Sequence, residues 1–127
     1  MWVDYAYGLE ELDRIFEGKS YGDLVELRRV LFENKDARID FDLKVWPDNP
    51  PDKWVKNNFN TVQVSLMLGC CNEIHLKDWA MKNVGEFRVK ELDPNMYTFK
   101  FFSRTGAYFS CTCDSLLASK ISGYQNA

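Results

Sequence analysis

His75 is the only histidine in this 127-residue chain and the residue best suited to acid–base catalysis. A histidine can act as the general base for a serine or cysteine nucleophile. In the segment EIHLKDW it alternates with Ile74 and Leu76, so we expect it on the polar side of a strand, beside Lys77. The chain contains no nucleophile elbow, zinc-protease motif, P-loop or glycine-rich dinucleotide motif. We therefore interpret His75 as a surface residue and predict that the protein is not an enzyme.

Four cysteines form two close pairs that could supply thiolate ligands to zinc. Cys70 and Cys71 are adjacent, whereas Cys111 and Cys113 are separated by one residue and share the apolar side of a strand with Phe109. Zinc sites favour a C-x2-C spacing, in which a turn points both sulfurs at one ion. We therefore interpret the cysteines as small core residues and predict no metal and no other cofactor.

Asp40 and Asp42 are a pair of carboxylates with a spacing that suits acid–base chemistry. They lie two residues apart on one side of a strand, which separates them by roughly 6 to 7 Å. No apolar neighbours that would favour a protonated carboxyl group are evident in the sequence. Arg38 and Lys44 share the same side of the strand, so we expect a solvated sheet face that is suited to docking a partner.

The loop WPDNPPDKW, residues 46–54, combines prolines, acidic residues and two tryptophans. Prolines restrict the backbone and lower the entropy that is lost when the loop binds a partner. Tryptophan is enriched at the energetic centres of protein interfaces. Two interpretations of Trp54 stay open, because its indole either faces a partner or folds back and closes the end of the sheet.

Elements that would position these residues follow from the hydrophobic periodicity. Leu9, Leu12, Ile15 and Phe16 recur at helical spacing before Gly18, which predicts one short amphipathic helix. Period-2 alternation predicts about seven strands. They cover residues 23–33, 37–46, 62–68, 73–79, 86–92, 96–103 and 107–113.

The predicted fold is α+β and mainly β, in a single domain over residues 1–127. A short N-terminal helix precedes about seven antiparallel strands in a meander, which forms a curved sheet or a sandwich. The adjacent Arg28 and Arg29 mark a change of alternation phase and predict a β-bulge. The tail SLLASKISGYQ fits either a short helix or a closing strand.

Composition narrows the class of partner. The net charge is −3 and no basic run exceeds the pair Arg28 and Arg29, which argues against nucleic acid as a partner. The N-terminus lacks the features of a secretion signal, and no apolar run approaches the ~20 residues that span a bilayer. We therefore expect a cytoplasmic protein with reduced cysteines and no membrane partner. A mildly acidic protein suits a basic partner.

The run PPDKWVKNNFNTVQVSLMLGCCNEIHLKDW, preceded by LDRIF and by LVELRRVLFENKDARIDFDLKV, resembles the immunity protein 50 family of bacterial polymorphic toxin systems. The resemblance extends over most of the chain, although the double cysteine and the C-x-C strand have no counterpart in the family pattern. It implies an antitoxin that binds a cognate toxin domain stoichiometrically and carries no catalytic residues. A monomer or a weak homodimer is expected.

These observations lead to a hypothesis about the toxin-binding site, in which the proline loop and the adjoining sheet face form the interface. The predicted toxin-binding residues are Asp40, Asp42, Trp46, Asp48, Asp52 and Trp54. The carboxylates would steer a basic toxin. The alternative function is a small-ligand-binding or metal-binding β domain that uses the concave side of the sheet and the cysteines.

Overall fold

The computed structural model describes residues 1–127 and contains two short helices and eight strands. A 3-10 turn, Trp2–Asp4, precedes helix α1, Glu10–Ile15, and helix α2 covers Asp52–Lys56. The strands are β1 Val25–Glu33, β2 Asp36–Leu43, β3 Thr61–Gly69, β4 Asn72–Lys77, β5 Val84–Asp93, β6 Met96–Ser103, β7 Tyr108–Cys113 and β8 Ser115–Tyr124. No helix is long and apolar enough to cross a membrane.

All eight strands belong to one antiparallel sheet that does not close, in the order β4-β7-β6-β5-β1-β2-β3-β8. The prediction of a mainly β, antiparallel fold is confirmed. The sandwich alternative is wrong, and so is a simple meander, because β5 lies beside β1 while β4 lies at the edge beside β7. The ambiguous tail is strand β8, and the proline loop contains the unpredicted helix α2.

Local sequence signals explain the hairpins. The predicted bulge is confirmed, because the register between β1 and β2 shifts between Leu27 and Arg29. Asn34 and Asn95 turn the β1–β2 and β5–β6 hairpins with φ values of 56° and 63°. Asparagine tolerates this left-handed conformation better than most residues, so both turns have residues that suit them.

The sheet curls around its apolar side, so that rings from distant strands meet. The ring centroids of Phe32 on β1 and Phe109 on β7 are 6.4 Å apart. In a flat sheet three strand spacings would separate them by about 14 Å. The N-terminal segment covers this apolar side with Trp2, Leu12 and Ile15, all of them buried in the core.

The two edges of the sheet differ in their protection. At the β8 edge, the Tyr7 amide donates to the Leu116 carbonyl at 2.9 Å, and the Ala118 amide donates to the Tyr7 carbonyl at 2.8 Å. At the other edge, every residue of β4 is exposed. The outer side of the β1-β2-β3-β8 half carries the polar residues that surround Asp40 and Asp42.

Candidate protein-binding site

The two tryptophans of the proline loop lie together, with ring centroids 6.0 Å apart, but only one of them is accessible. Trp54 is 7% exposed, whereas Trp46 is 37% exposed. A Cβ atom added to Gly123 would lie 2.7 Å from the indole of Trp54, so the absence of a side chain on β8 allows this ring to pack. Of the two open interpretations of Trp54, the structure supports the one in which the indole folds back onto the sheet.

Contacts with helix α1 and its following turn hold the loop in place. The Asn49 amide donates to the Ile15 carbonyl at 3.0 Å, and Lys19 donates to the carboxylate of Asp48. The hydrogen bond to Asp48 raises the pKa of Lys19. Asp52 opens helix α2 and is exposed, a favourable place for a negative charge at a helix N-terminus. These contacts therefore hold the loop on the protein surface, against α1 and the turn that follows it.

Asp40 and Asp42 lie on the outer side of β2 but are buried, at 6% and 1% exposure. The expectation of a solvated face is therefore wrong for these two carboxylates. Asp42 accepts hydrogen bonds from Arg28 Nε at 2.7 Å, from Gln63 Nε2 at 3.1 Å and from the hydroxyl of Tyr124. Donors from β1, β3 and β8 thus enclose it.

Asp40 is covered in a similar way by residues of three strands. Ser65 Oγ donates to its carboxylate at 2.6 Å, Arg38 Nε lies at 3.4 Å and Arg29 Nε at 3.7 Å. The long contact from Arg38 leaves its Nε without a hydrogen-bond partner. Asp40 is therefore enclosed by two guanidinium groups and one hydroxyl.

Glu26 on β1 is the third buried carboxylate of this face. It forms ion pairs with Lys44 at 3.3 Å and with Arg28 NH1 at 3.5 Å. Burial and the hydrogen bond to Asp42 raise the pKa of Tyr124, the tyrosine beside this cluster. Cationic side chains therefore cover all three carboxylates.

A comparison with protein families identifies the family to which the chain belongs. The model of immunity protein 50 matches residues 8–124, a range that begins before α1 and ends with β8. This chain belongs to the immunity protein 50 family. The search of curated proteins and the search of solved structures found no match.

In this immunity protein 50 family member, the six predicted toxin-binding residues do not form one continuous surface. Gly123, which contacts Trp54, pairs with the core residue Val62 and lies on the apolar side of the sheet. Tyr124, which contacts Asp42, lies on the outer side. The loop and the buried carboxylates are therefore on opposite sides of the same end of the sheet.

Several residues of the outer face could not be identified as site residues from the sequence. From the sequence, Arg28 indicates only a bulge, and Tyr124 belongs to a tail that fits either a helix or a strand. Gln63 and Ser65 occupy the polar phase of the alternation on β3, which is the one signal that places them beside Asp40 and Asp42. Which donor reaches which carboxylate depends on the pairing of β1, β2, β3 and β8.

The cysteines have two different environments. Cys111 and Cys113 are buried in the core as predicted, whereas Cys70 is exposed, so the core interpretation is wrong for that residue. Hydrogen bonding to Cys113 and Cys71, together with burial, raises the pKa of Cys111. No group of three or more histidine, cysteine or acidic side chains is placed to hold a metal ion.

His75 lies in an open groove of about 550 Å³ on the outer side of β4, β6 and β7. Lys77, Phe102 and Tyr108 line the same groove. The apolar side of the sheet, in contrast, is filled by the core. A ligand in the sheet concavity, which the alternative function requires, would therefore have to displace core side chains.

Proposed function

We propose that this chain is a cytoplasmic antitoxin of a bacterial polymorphic toxin system, which binds a cognate toxin domain in a stoichiometric complex. The match to the immunity protein 50 family over residues 8–124 carries the proposal. Binding would neutralise the toxin either by covering its active site or by blocking the approach of its substrate. The chain would act by forming an interface of the usual size, about 1,200 to 2,000 Å² in total.

Trp46 is the proposed energetic centre of the loop contact. Its ring rests on the buried Trp54, and the exposed side chains of Val45 and Val55 lie close to it in the sequence, at either end of the loop. A supported aromatic side chain loses little conformational entropy when a partner covers it. In this proposal Trp54 positions Trp46, while Asp48 and Asp52 contact the toxin at the polar rim.

Asp40 and Asp42 enter the proposal through the cations that they hold. Their side chains are covered by Arg28, Arg38 and Tyr124, so a toxin would meet those groups first. Replacing either carboxylate would alter the position of the covering side chains. Binding would then weaken even though the carboxylate itself makes no contact.

Co-expression with the toxin domain encoded beside the gene tests the function. We expect restored growth of the toxin-expressing cells and a one-to-one complex in a pull-down. A chain that is folded, as judged by its thermal unfolding, but neither rescues growth nor binds the toxin would show that the proposed function is wrong.

Trp46→Ala and Trp79→Ala form a matched pair for the loop contact, because both indoles are partly exposed and Trp79 lies in the connection between β4 and β5. We expect Trp46→Ala to weaken the complex by about 30-fold, which corresponds to about 2 kcal/mol for an interface hot spot. Trp79→Ala should bind like the unaltered chain. Equal binding by both variants would refute the loop contact and leave the function standing.

A further inference from the structure

Positive charge faces outward around the three buried carboxylates of the β1-β2-β3-β8 half of the sheet, although the whole chain carries a net charge of −3. The side chains of its three carboxylates are between 2% and 8% exposed, whereas those of the arginines and lysine that pair with them are between 34% and 63% exposed. Lys120, which pairs across from Ser65, is exposed as well. We call this surface the cationic face; it consists of Arg28, Arg29, Arg38, Lys44 and Lys120.

We propose that the cationic face binds an acidic surface of the toxin. The inference rests on the proposed function and specifies the chemistry of the partner. The sequence predicts a basic toxin that is attracted by Asp40 and Asp42. The structure places both carboxylates beneath the cations, so the inferred charge of the toxin surface is negative instead. A partner that approaches this face encounters guanidinium and ammonium groups, which attract carboxylates.

The buried carboxylates also fix the cations in position. Arg28 is held by Asp42 through Nε and by the Tyr124 hydroxyl through NH2, at 2.7 and 3.0 Å. A guanidinium that is already fixed loses less side-chain entropy on binding than a free one. Arg28 is therefore preorganised for a partner's carboxylate.

A row of three apolar side chains and one arginine on the same face favours a protein as the partner over a nucleic acid. Leu31 pairs with Arg38, Arg38 with Met67, and Met67 with Leu117, so the four side chains cross all four strands in one line. Leu31 and Leu117 are exposed. Nucleic-acid backbones offer phosphates and sugars to such a surface, whereas protein interfaces combine apolar contacts with arginine.

Exposed negative charge lies at the end of this half of the sheet and on its other side. Glu33 and Asp36 are exposed and pair at the β1–β2 turn. Residues 1–24, which cover the apolar side of the sheet, contain six acidic and only two basic side chains. The cationic face and this acidic segment therefore lie on different sides of the sheet. An acidic part of the toxin surface would therefore be attracted to the cationic face and not to the segment 1–24.

Two double variants test the proposal with the same change in net charge. Arg29→Glu with Lys120→Glu reverses two exposed cations of the cationic face, and Lys82→Glu with Arg104→Glu reverses two exposed cations outside it. Association with the toxin domain encoded beside the gene would be measured at several salt concentrations, after thermal unfolding has shown that both variants are folded. We expect the first double variant to associate at least tenfold more slowly and to lose most of its salt dependence. The second should change the rate by less than twofold.

Each other outcome counts against the proposal. If the toxin binds both double variants as it binds the unaltered chain, the acidic-partner inference is wrong while the antitoxin function stands. If the unaltered chain does not bind the toxin, both are wrong. A mixed-sequence single-stranded RNA and a DNA duplex serve as further probes. If either binds the unaltered chain at physiological salt and is lost with the first double variant, while toxin binding is kept, the face is a nucleic-acid site instead.

Discussion

Asp42 accepts hydrogen bonds from side chains of three other strands, which take the place of water. Arg28, Gln63 and Tyr124 all donate to its carboxylate, so the charge is compensated although the residue is 1% exposed. A buried charge without such partners costs several kcal/mol. The strand pairing therefore makes the burial of Asp42 possible, and Asp42 in turn links β2 to β1, β3 and β8.

Asp42→Asn should destabilise the protein by about 3 to 5 kcal/mol, because Arg28 loses its charged partner and the amide nitrogen cannot accept a hydrogen bond. The free energy of unfolding in urea measures the effect. Asp48→Asn serves as a control, because it removes only an exposed ion pair, worth about 0 to 1 kcal/mol. If the two variants lose the same stability, the buried network does not contribute as argued.

Tyr124 makes the folded state less stable at alkaline pH. Burial and the hydrogen bond to Asp42 raise its pKa, so the folded state retains the phenolic proton longer than the unfolded state. This contribution is complete below the unfolded pKa of about 10 and is lost as the pH rises through the higher folded value. We therefore expect the free energy of unfolding to decline above about pH 10.

Tyr124→Phe should decline less steeply over this pH range, since it has no proton to lose at that position. Urea unfolding from about pH 8 to about pH 11 provides the comparison. Some decline should persist, because burial raises the pKa of Tyr21 as well. Tyr7→Phe, which alters an exposed tyrosine, should follow the unaltered chain. If the stability of Tyr124→Phe also follows that of the unaltered chain, Tyr124 does not cause the decline at alkaline pH.

At the scale of the elements, a single glycine, Gly85, lies where β5 pairs with β1 on one side and with β6 on the other. Strands β1 and β5 pair only through Val25 with Gly85 and Glu26 with Val84. A Cβ atom at Gly85 would lie 1.9 Å from the Phe102 carbonyl oxygen, which belongs to the backbone of β6. The backbone cannot move away as a flexible side chain would, so only glycine fits between the strands.

Gly85→Ala should therefore destabilise the protein by about 3 kcal/mol or more, because it overpacks a backbone contact. The matched control is Gly69→Ala, whose added Cβ atom would meet only the side-chain ends of Ser115 and Asp114. We expect the control to cost about 1 kcal/mol or less. Thermal unfolding compares the two variants, and equal midpoints would show that position 85 tolerates a side chain.

The strands were predictable from the sequence and their arrangement was not. Alternation located β3 and β6 to within a residue, because each has one apolar and one polar side, whereas the predicted β2 extended three residues too far. The alternation on β8 is weak, because Leu116 and Leu117 are adjacent and Ser119 and Lys120 are both polar. The tail therefore fits either a helix or a strand. Pairing of β1 with β5 across more than fifty residues follows from packing, and no local pattern specifies it.

Burial of the acidic pair exceeded what the sequence could indicate. An aspartate in the polar phase of a strand is ordinarily solvated, and nothing near Asp40 or Asp42 in the chain indicates otherwise. Their donors come from residues as distant as Ser65 and Tyr124. The predicted loop was closer to the structure, since the ring of Trp46 is accessible and that of Trp54 supports it.

At the scale of the whole molecule, Trp2 joins the two halves of the sheet, which are β4-β7-β6-β5 and β1-β2-β3-β8. Its ring lies 5.4 Å from that of Phe41 on β2 and 6.0 Å from that of Phe87 on β5, and both contacts are edge-to-face. Its indole Nε1 donates to the Gly22 carbonyl at 3.0 Å. Because β1 and β5 pair over only two residue pairs, aromatic packing across the core stabilises the relative position of the halves.

Trp2→Ala should lower the free energy of unfolding by about 3 to 5 kcal/mol, because it removes a fully buried indole and leaves a cavity between the halves. Urea unfolding measures this loss, and hydrogen exchange of the β1 and β5 amides shows where it acts. We expect faster exchange at Val25 and Gly85 than in the β2–β3 ladder. Trp79→Ala, at an exposed indole, should change neither quantity. If Trp2→Ala exchanges uniformly faster along all strands, Trp2 stabilises the core as a whole and does not specifically join the two halves.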